Sequence, residues 1–254
     1  MAKYIAHHVN AECCERIDQS ATFLSRKKNI KFIVSGFGPF QNVKENPTKI
    51  IADRLIEYLE NREEVREDAN DVILPLAALT TALVMETSAG AVREELDQLF
   101  SQHVDNVSDQ TVVFLHLGVN VKANCFILEK CAYNDATFRV PDERGYQPRN
   151  QTVVNDFPYQ QSLSSDLNIS ALKLQVNSSC PNLTLQVSTD PGRFVCNFTY
   201  FYSLAKARAQ KSCTHSVFMH VPPFAAIGEE KQLHMVVTLM EAIYSQQNSL
   251  KTDE

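Results

Sequence analysis

The stretch KFIVSGFGPFQNVKENPTKIIADRLIEYL, residues 31–59, contains the pattern that decides the fold. Residues 31–35 form a short, mostly apolar run that stops at Gly36, as expected of a buried strand that ends in a loop. Asn46 and Pro47 then match a helix N-cap and a first helical position. Apolar residues follow at helical spacing: Ile50, Ile51, Leu55, Tyr58 and Leu59. The stretch therefore predicts a strand, a loop and a helix, in that order.

The same alternation continues along the chain. Further strand candidates are Val72 to Leu76, Thr111 to Leu117, Leu183 to Ser188 and Ser216 to Val221, and helical periodicity marks Leu79 to Phe100, Arg193 to Ala209 and Lys231 to Ser245. Short apolar strands that alternate with amphipathic helices predict an α/β fold. We expect a single-domain, three-layer α/β/α sandwich with a mainly parallel, mixed central sheet and helices on both faces.

The domain organisation follows from composition. Residues 1–29 are mostly polar and predict an N-terminal leader, and residues 30–254 are expected to form the single α/β domain. Residues 149–182, rich in Asn, Gln and Ser, are expected to form a long irregular excursion around one helix.

Charge and hydropathy limit the partners. A net charge of -6 in 254 residues argues against a polyanionic partner, because nucleic-acid binders concentrate Lys and Arg. The chain has no run of about 18 apolar residues, so we expect no membrane span. Its N-terminus has no apolar segment typical of a secretory signal, and its seven cysteines include no C-x-x-C pair. We therefore expect a cytosolic protein with reduced thiols and no structural zinc.

The best nucleophile candidate is Cys196, within Ser188 to Asn197. A strand ends there, Asp190 is expected to cap the next helix, and Pro191 to occupy its first position. Cys196 would then lie early in that helix, whose positive end favours a thiolate and whose unpaired N–H groups could bind an oxyanion.

A thiol nucleophile needs a base, and His220 ends the strand candidate Ser216 to Val221 at the same sheet edge. Glu129 is an acid among apolar neighbours and could orient the imidazole. Alternatively, His220 is a structural histidine and Glu129 a salt-bridge partner of Lys130.

Six sequence blocks, in order, resemble one known family. They are G-F-x-P-F with N-P-[ST] (36–48), H-x-G-V (116–119), L-E-K-C-x-x-N with D-A (128–136), R-x-P-D-x-x-G-x-Q-P (139–148), D-x-G-R-[FY]-x-C-N-x-x-x-[FY]-Y (190–202) and F-x-H-x-P (218–222). Together they resemble the pyroglutamyl peptidase I family of cysteine peptidases.

The resemblance implies a cytosolic omega-peptidase that removes an N-terminal pyroglutamyl residue from peptides through a thioester acyl-enzyme, without a metal or other cofactor. It implies Cys196 as nucleophile, His220 as base and Glu129 as orienting carboxylate. It further implies that Phe37 and Phe40 sandwich the lactam ring and that Asn46 lies beside that pocket. Members of the family occur as monomers and as tetramers, so a homo-oligomer stays open.

The residues themselves agree with such a pocket, because a flat, uncharged lactam needs apolar walls and a few amide partners. Two departures from the family pattern bear on rate and substrate range. Pro191 stands where alanine is more usual, and Val121 stands where a small residue is commoner.

Two other functions stay open. A nucleoside phosphorylase or similar hydrolase could share the sheet architecture, with Arg139, Arg144 and Arg193 supplying charge for a phosphate. The chain could also be an inactive relative retained as a binding module.

Overall fold

The computed structural model describes residues 29–41, 43–67, 74–105, 110–210 and 213–249. The strands are β1 (Asn29–Phe37), β2 (Thr80–Met85), β3 (Gln110–Val119), β4 (Phe126–Glu129), β5 (Cys131–Tyr133), β6 (Ser162–Ser164), β7 (Leu185–Ser188) and β8 (Thr214–Val221). The helices are α1 (Pro47–Glu67), α2 (Ala89–His103), α3 (Ile169–Ser179), α4 (Val195–Ala209) and α5 (Glu229–Ser249).

The central sheet has the strand order β2-β1-β3-β8-β4-β7. The first four of these strands are parallel to one another, whereas β4 is antiparallel to β8 and parallel to β7. The prediction of a mainly parallel, mixed sheet is therefore confirmed. A small second sheet pairs β5 with β6 in antiparallel orientation.

Helices cover both faces of the central sheet. On one face, buried residues of α1, α3 and α5 pack with alternate strand residues, as Leu55, Leu172 and Val236 do. On the other face, α2 and α4 pack through residues such as Leu96 and Phe201. Because both faces are buried, the inner strands are apolar almost throughout, and the predicted α/β/α layering is confirmed.

The predicted helix from Leu79 to Phe100 is wrong in its first part. Thr80 to Met85 form β2, which pairs in parallel with β1, and α2 begins only at Ala89. Ser88 marks the boundary, because its side chain accepts a hydrogen bond from the Ala91 N–H (3.2 Å) and caps the helix. The proposed strand from Val72 to Leu76 is not seen: residues 72–73 lie outside the described residues, and residues 74–76 are not in a strand.

Asn46 is the capping residue predicted for α1. Its Oδ1 accepts from the Thr48 N–H (3.2 Å), and Pro47 is the first helical residue. Gly36 permits the close approach of this helix to β1, because a Cβ there would lie 2.0 Å from the Thr48 carbonyl oxygen.

Two further predicted segments are the excursion over residues 149–182 and the N-terminal leader. The excursion over residues 149–182 contains α3, capped by Asn168, and the short β6. Most of the predicted leader, residues 1–28, lies outside the described residues, so its boundary stays a prediction. None of the helices within the described ranges is long and apolar enough to cross a membrane.

Candidate active site

Cys196 is the second residue of α4, and Phe194 is the N-cap, without a side-chain capping bond. The predicted cap at Asp190 and first helical position at Pro191 are therefore wrong. Gly192, with a φ of 81°, redirects the chain after Pro191, so the helix starts later. The Asp190 carboxylate instead accepts from the Gly192 N–H (3.1 Å) and from Arg193 Nη1 (2.6 Å).

This position gives Cys196 the environment of a helix N-terminus. The N–H groups of a first helical turn have no partners within the helix and point towards its amino end. The helix dipole adds positive potential there, which stabilises a thiolate and, later, an oxyanion. The structure thus brings the cysteine nearer to the helix start than the sequence pattern predicted.

The nucleophile candidate lies directly over the backbone of β3. A Cβ at Gly118 would lie 3.0 Å from Cys196 Sγ and 2.7 Å from Phe218 Cζ. Only glycine leaves room for both contacts. Sequence reasoning missed this role, although the H-x-G-V block contains the residue.

His220 joins the thiol to a carboxylate. Its Nδ1 lies 2.9 Å from Glu129 Oε1, and the Cys196 side chain is close enough to the ring to raise its pKa. Burial alone would lower the pKa of His220, but the hydrogen bonds with Cys196 and Glu129 outweigh it and raise the pKa to about 9. The Phe218 ring packs against the imidazole, with 4.9 Å between ring centroids.

The surroundings of Glu129 favour an orienting role. The residue is 2% exposed, and its Oε2 has no hydrogen-bond partner among the described residues. A buried carboxylate with so few donors requires a nearby cation, and the His220 ring is directed at it. Lys130, the alternative partner, is exposed.

Asn197, which sequence reasoning also missed, ties the start of α4 to β5. Its Oδ1 accepts from the Tyr133 N–H (2.8 Å), and its Nδ2 donates to the carbonyls of Tyr133 (2.9 Å) and Asp135 (3.0 Å). Its position directly after the cysteine was the available signal. With its amide fully used by the backbone, Asn197 orients the helix that carries Cys196.

The three pocket candidates lie in different environments. Phe37 is 2% exposed within the core, whereas Phe40 is half-buried, 6.2 Å from the Phe194 ring. Asn46 is buried, and its Nδ2 donates to the Gly38 carbonyl (3.0 Å), so it holds the loop that carries Phe40.

The two departures from the family pattern are also located. Pro191 is buried in the loop before α4, and Val121 is 52% exposed in the turn after β3. Among the described residues, no group of three or more His, Cys, Asp or Glu side chains is arranged to hold a metal ion.

Comparison with known proteins places this geometry in a family context. Residues 30–243 match the family model described as pyroglutamyl peptidase. The chain is 30% identical over 201 residues to pyroglutamyl-peptidase 1 of Rattus norvegicus, and it has the same identity over the same length to pyroglutamyl-peptidase 1 of Homo sapiens. In both cases the aligned region covers 79% of this chain and 83% of the relative.

Solved structures agree in fold. The pyrrolidone carboxyl peptidase of Thermococcus litoralis superposes with a TM-score of 0.70 at 18% identity, over 88% of this chain and 97% of that chain. Because the family match spans most of the described fold and includes all three residues of the candidate site, the chain belongs to the pyroglutamyl peptidase family.

Proposed function

We propose that the chain is a cysteine omega-peptidase that hydrolyses the bond after an N-terminal pyroglutamyl residue of peptides. Cys196 is the nucleophile, His220 the general base and acid, and Glu129 the orienting carboxylate. The observation that carries the proposal is the imidazole of His220, held between the Glu129 carboxylate and the Cys196 thiol at the start of α4.

The first half of the reaction forms a thioester. The Cys196 thiolate attacks the pyroglutamyl carbonyl carbon, and the resulting oxyanion meets the N–H groups of the first turn of α4. The His220 imidazolium then gives its proton to the leaving nitrogen as the C–N bond breaks. Glu129 holds the ring through Nδ1 and stabilises its positive charge.

The second half returns the enzyme to its starting state. Neutral His220 removes a proton from water, and the hydroxide attacks the thioester carbonyl. The C–S bond breaks, free pyroglutamate leaves, and the thiolate again pairs with the imidazolium. No other co-reactant is required.

The pocket for the lactam ring is assigned to the loop after β1. Phe40 offers a half-exposed aromatic face there, Phe37 lies in the core at the end of β1, and Asn46 holds the loop through the Gly38 carbonyl. An apolar wall suits the uncharged ring, whose α-nitrogen is locked in the lactam.

The phosphorylase alternative is not favoured. Arg144 is paired with Glu86 and Glu94, both at 2.8 Å, and Arg193 with Asp135 (3.4 Å) and Asp190 (2.6 Å). Cations already neutralised by carboxylates are poor phosphate ligands.

A cytosolic location accompanies the proposal, because the mechanism needs a reduced thiol and that compartment keeps thiols reduced. Peptides are the substrates, with no nucleic acid or membrane required. Activity as a monomer or as a homo-oligomer is equally compatible with the site.

The test is turnover of a fluorogenic pyroglutamyl amide, run beside an inosine-plus-phosphate assay. We expect activity only in the first assay, and we expect Cys196→Ala to abolish it without changing the melting temperature much. Cys125→Ala, at a half-buried cysteine, is the matched control and should retain activity. Activity retained in Cys196→Ala, or turnover of inosine alone, contradicts the proposal.

A further inference from the structure

A second cysteine, histidine and carboxylate lie together at the other end of β8 from His220. Cys213 directly precedes β8, His215 is the second residue of that strand, and Asp166 lies between β6 and α3. An extended strand rises about 3.3 Å per residue, so roughly 17 Å of chain separates His215 from His220. The second cluster is therefore distinct from the site around Cys196.

The three groups of this cluster are joined through the imidazole. Cys213 Sγ lies 3.2 Å from His215 Nε2, and Asp166 Oδ1 lies 2.9 Å from Nδ1 of the same ring. Gln247 Oε1 is a further neighbour of Nε2, at 3.2 Å. The order of thiol, imidazole and carboxylate is the same as in Cys196, His220 and Glu129.

Burial differs among the members in a way that suits reaction with a molecule from solution. The His215 side chain is 10% exposed, whereas Cys213 is exposed and the Asp166 side chain is 64% exposed. The ring is thus held by its surroundings, and Cys213 lies at the surface.

The charge on the ring favours a reactive sulfur. Burial alone would lower the pKa of His215, but the hydrogen bonds with Asp166 and Cys213 outweigh it and raise the pKa to about 9. The imidazole is therefore cationic at neutral pH. A cation 3.2 Å from a sulfur stabilises the thiolate, which is the nucleophilic form.

The position of Cys213 favours thiol exchange over acyl transfer. The residue leads into a strand and not into a helix, and its carbonyl accepts from the Val112 N–H of β3 (3.0 Å). It therefore does not lie at a helix N-terminus that could stabilise an oxyanion. Thiol–disulfide exchange requires only a thiolate and access to it.

We propose that Cys213 is a modification site that exchanges with low-molecular-weight disulfides, activated by His215 and Asp166. In the reaction the Cys213 thiolate attacks one sulfur of the disulfide RSSR. A new S–S bond forms between Cys213 and one RS group, the original S–S bond breaks, and the other RS group leaves as a thiolate. A free thiol reverses the modification by the same exchange.

The test exposes the full-length protein briefly to glutathione disulfide at pH 7, followed by acid quenching and mass mapping of each cysteine. An ordinary thiol is only a few per cent ionised at this pH, so pairing with an imidazolium can raise the thiolate fraction about thirtyfold. The lower nucleophilicity of a stabilised thiolate reduces the gain. We expect Cys213 to react about tenfold faster than Cys125.

Asp166→Asn separates this activation from simple exposure, because the variant changes an exposed side chain and leaves the cysteine in place. We expect it to slow the reaction of Cys213 several-fold, whereas Asp156→Asn, at another exposed aspartate, should not. Reaction of Cys213 no faster than Cys125, or an unchanged rate in Asp166→Asn, overturns the proposal. Cys213→Ser should keep full pyroglutamyl turnover, so the result is independent of the function proposed for Cys196.

Discussion

Glu129 and Lys130 are neighbours in sequence but occupy opposite environments at the end of β4. The carboxylate is buried against His220, whereas the lysine is exposed. Successive residues of an extended chain point to opposite sides, so the ion pair between them that the sequence allowed is disfavoured by the backbone itself. The role of Glu129 therefore depends on what it does to the imidazole.

Glu129→Gln tests that role. An amide can orient the His220 ring but cannot balance its positive charge, so kcat should fall at least about tenfold while KM changes little. The pH–rate profile should shift as well, because the histidine loses the carboxylate that helps to raise its pKa. Glu60→Gln, on the exposed side of α1, serves as the matched control. An unchanged kcat between about pH 6 and 9 would remove Glu129 from the catalytic group.

Phe40 and Phe37 should respond differently to truncation, because one is half-exposed and the other is 2% exposed. Phe40→Ala should lower kcat/KM by about 1 to 2 kcal/mol of lost ring packing and leave the melting temperature nearly unchanged. Phe37→Ala should lower the free energy of unfolding by about 3 to 5 kcal/mol. Steady-state kinetics and thermal melts, with Phe157→Ala as a half-buried control, measure both. Equal activity losses and equal melting shifts in the two variants would contradict this division.

The proposed reactive residues could be inferred from sequence, but those that position them could not. Cys196 and His220 follow or end strands, and strand ends of a parallel sheet converge on one edge. Gly118 and Asn197 act through a close approach and through bonds to distant backbone, and neither is visible in a linear pattern.

At the scale of elements, β2 shows why the start of the predicted helix from Leu79 to Phe100 was misplaced. Thr80 to Met85 are followed closely by the apolar positions of α2, so the two elements together resemble one long helical pattern. Ser88 supplies the local signal that separates them, since its side chain caps α2. The start of α4 was misplaced for a related reason: the turn at Gly192 delays a helix that Pro191 could otherwise begin.

Ser88→Ala measures how much the N-cap of α2 contributes to the free energy of unfolding. Loss of the bond to the Ala91 N–H should lower the free energy of unfolding by about 0.5 to 2 kcal/mol. Activity should be retained, because the active-site candidates lie on other elements. Ser101→Ala, at an exposed position of the same helix, controls for the change of residue type and should not destabilise the protein. Equal chemical-denaturation midpoints for the two variants would show that the cap contributes nothing.

At the scale of the whole molecule, the alternation of strands and helices was enough to predict the layers but not the strand order. A crossover connection can place the next strand on either side of the preceding one in the sheet. The direction of β4, antiparallel to β8 and parallel to β7, depends on its pairing with both strands. That reversal sets Glu129 beside Phe218 of β8, within reach of His220. The candidate site is thus a product of the sheet topology.

The buried histidines make the free energy of unfolding depend on pH, and they do so in opposite directions. His116, hydrogen-bonded to Ser35 (2.7 Å), has a pKa lowered by burial to about 3. His215 and His220 have pKa values raised to about 9, because their hydrogen-bonded partners outweigh burial. An unfolded histidine titrates near 6.5, so each of these groups makes the free energy of unfolding depend on pH.

The free energy of unfolding should therefore have a maximum near pH 6.5. The contribution of His116 is present above about 6.5 and is lost as the pH falls towards 3, because only the unfolded chain takes up that proton. The contributions of His215 and His220 are present below about 6.5 and are lost as the pH rises through 9, because the unfolded chain releases those protons first. Urea denaturation across this range measures the profile. Asp166→Asn removes the carboxylate that holds the His215 proton, so its profile should be flatter on the alkaline side alone. A variant profile that parallels the original from pH 6.5 to 9 would show that the His215 pair does not stabilise the fold.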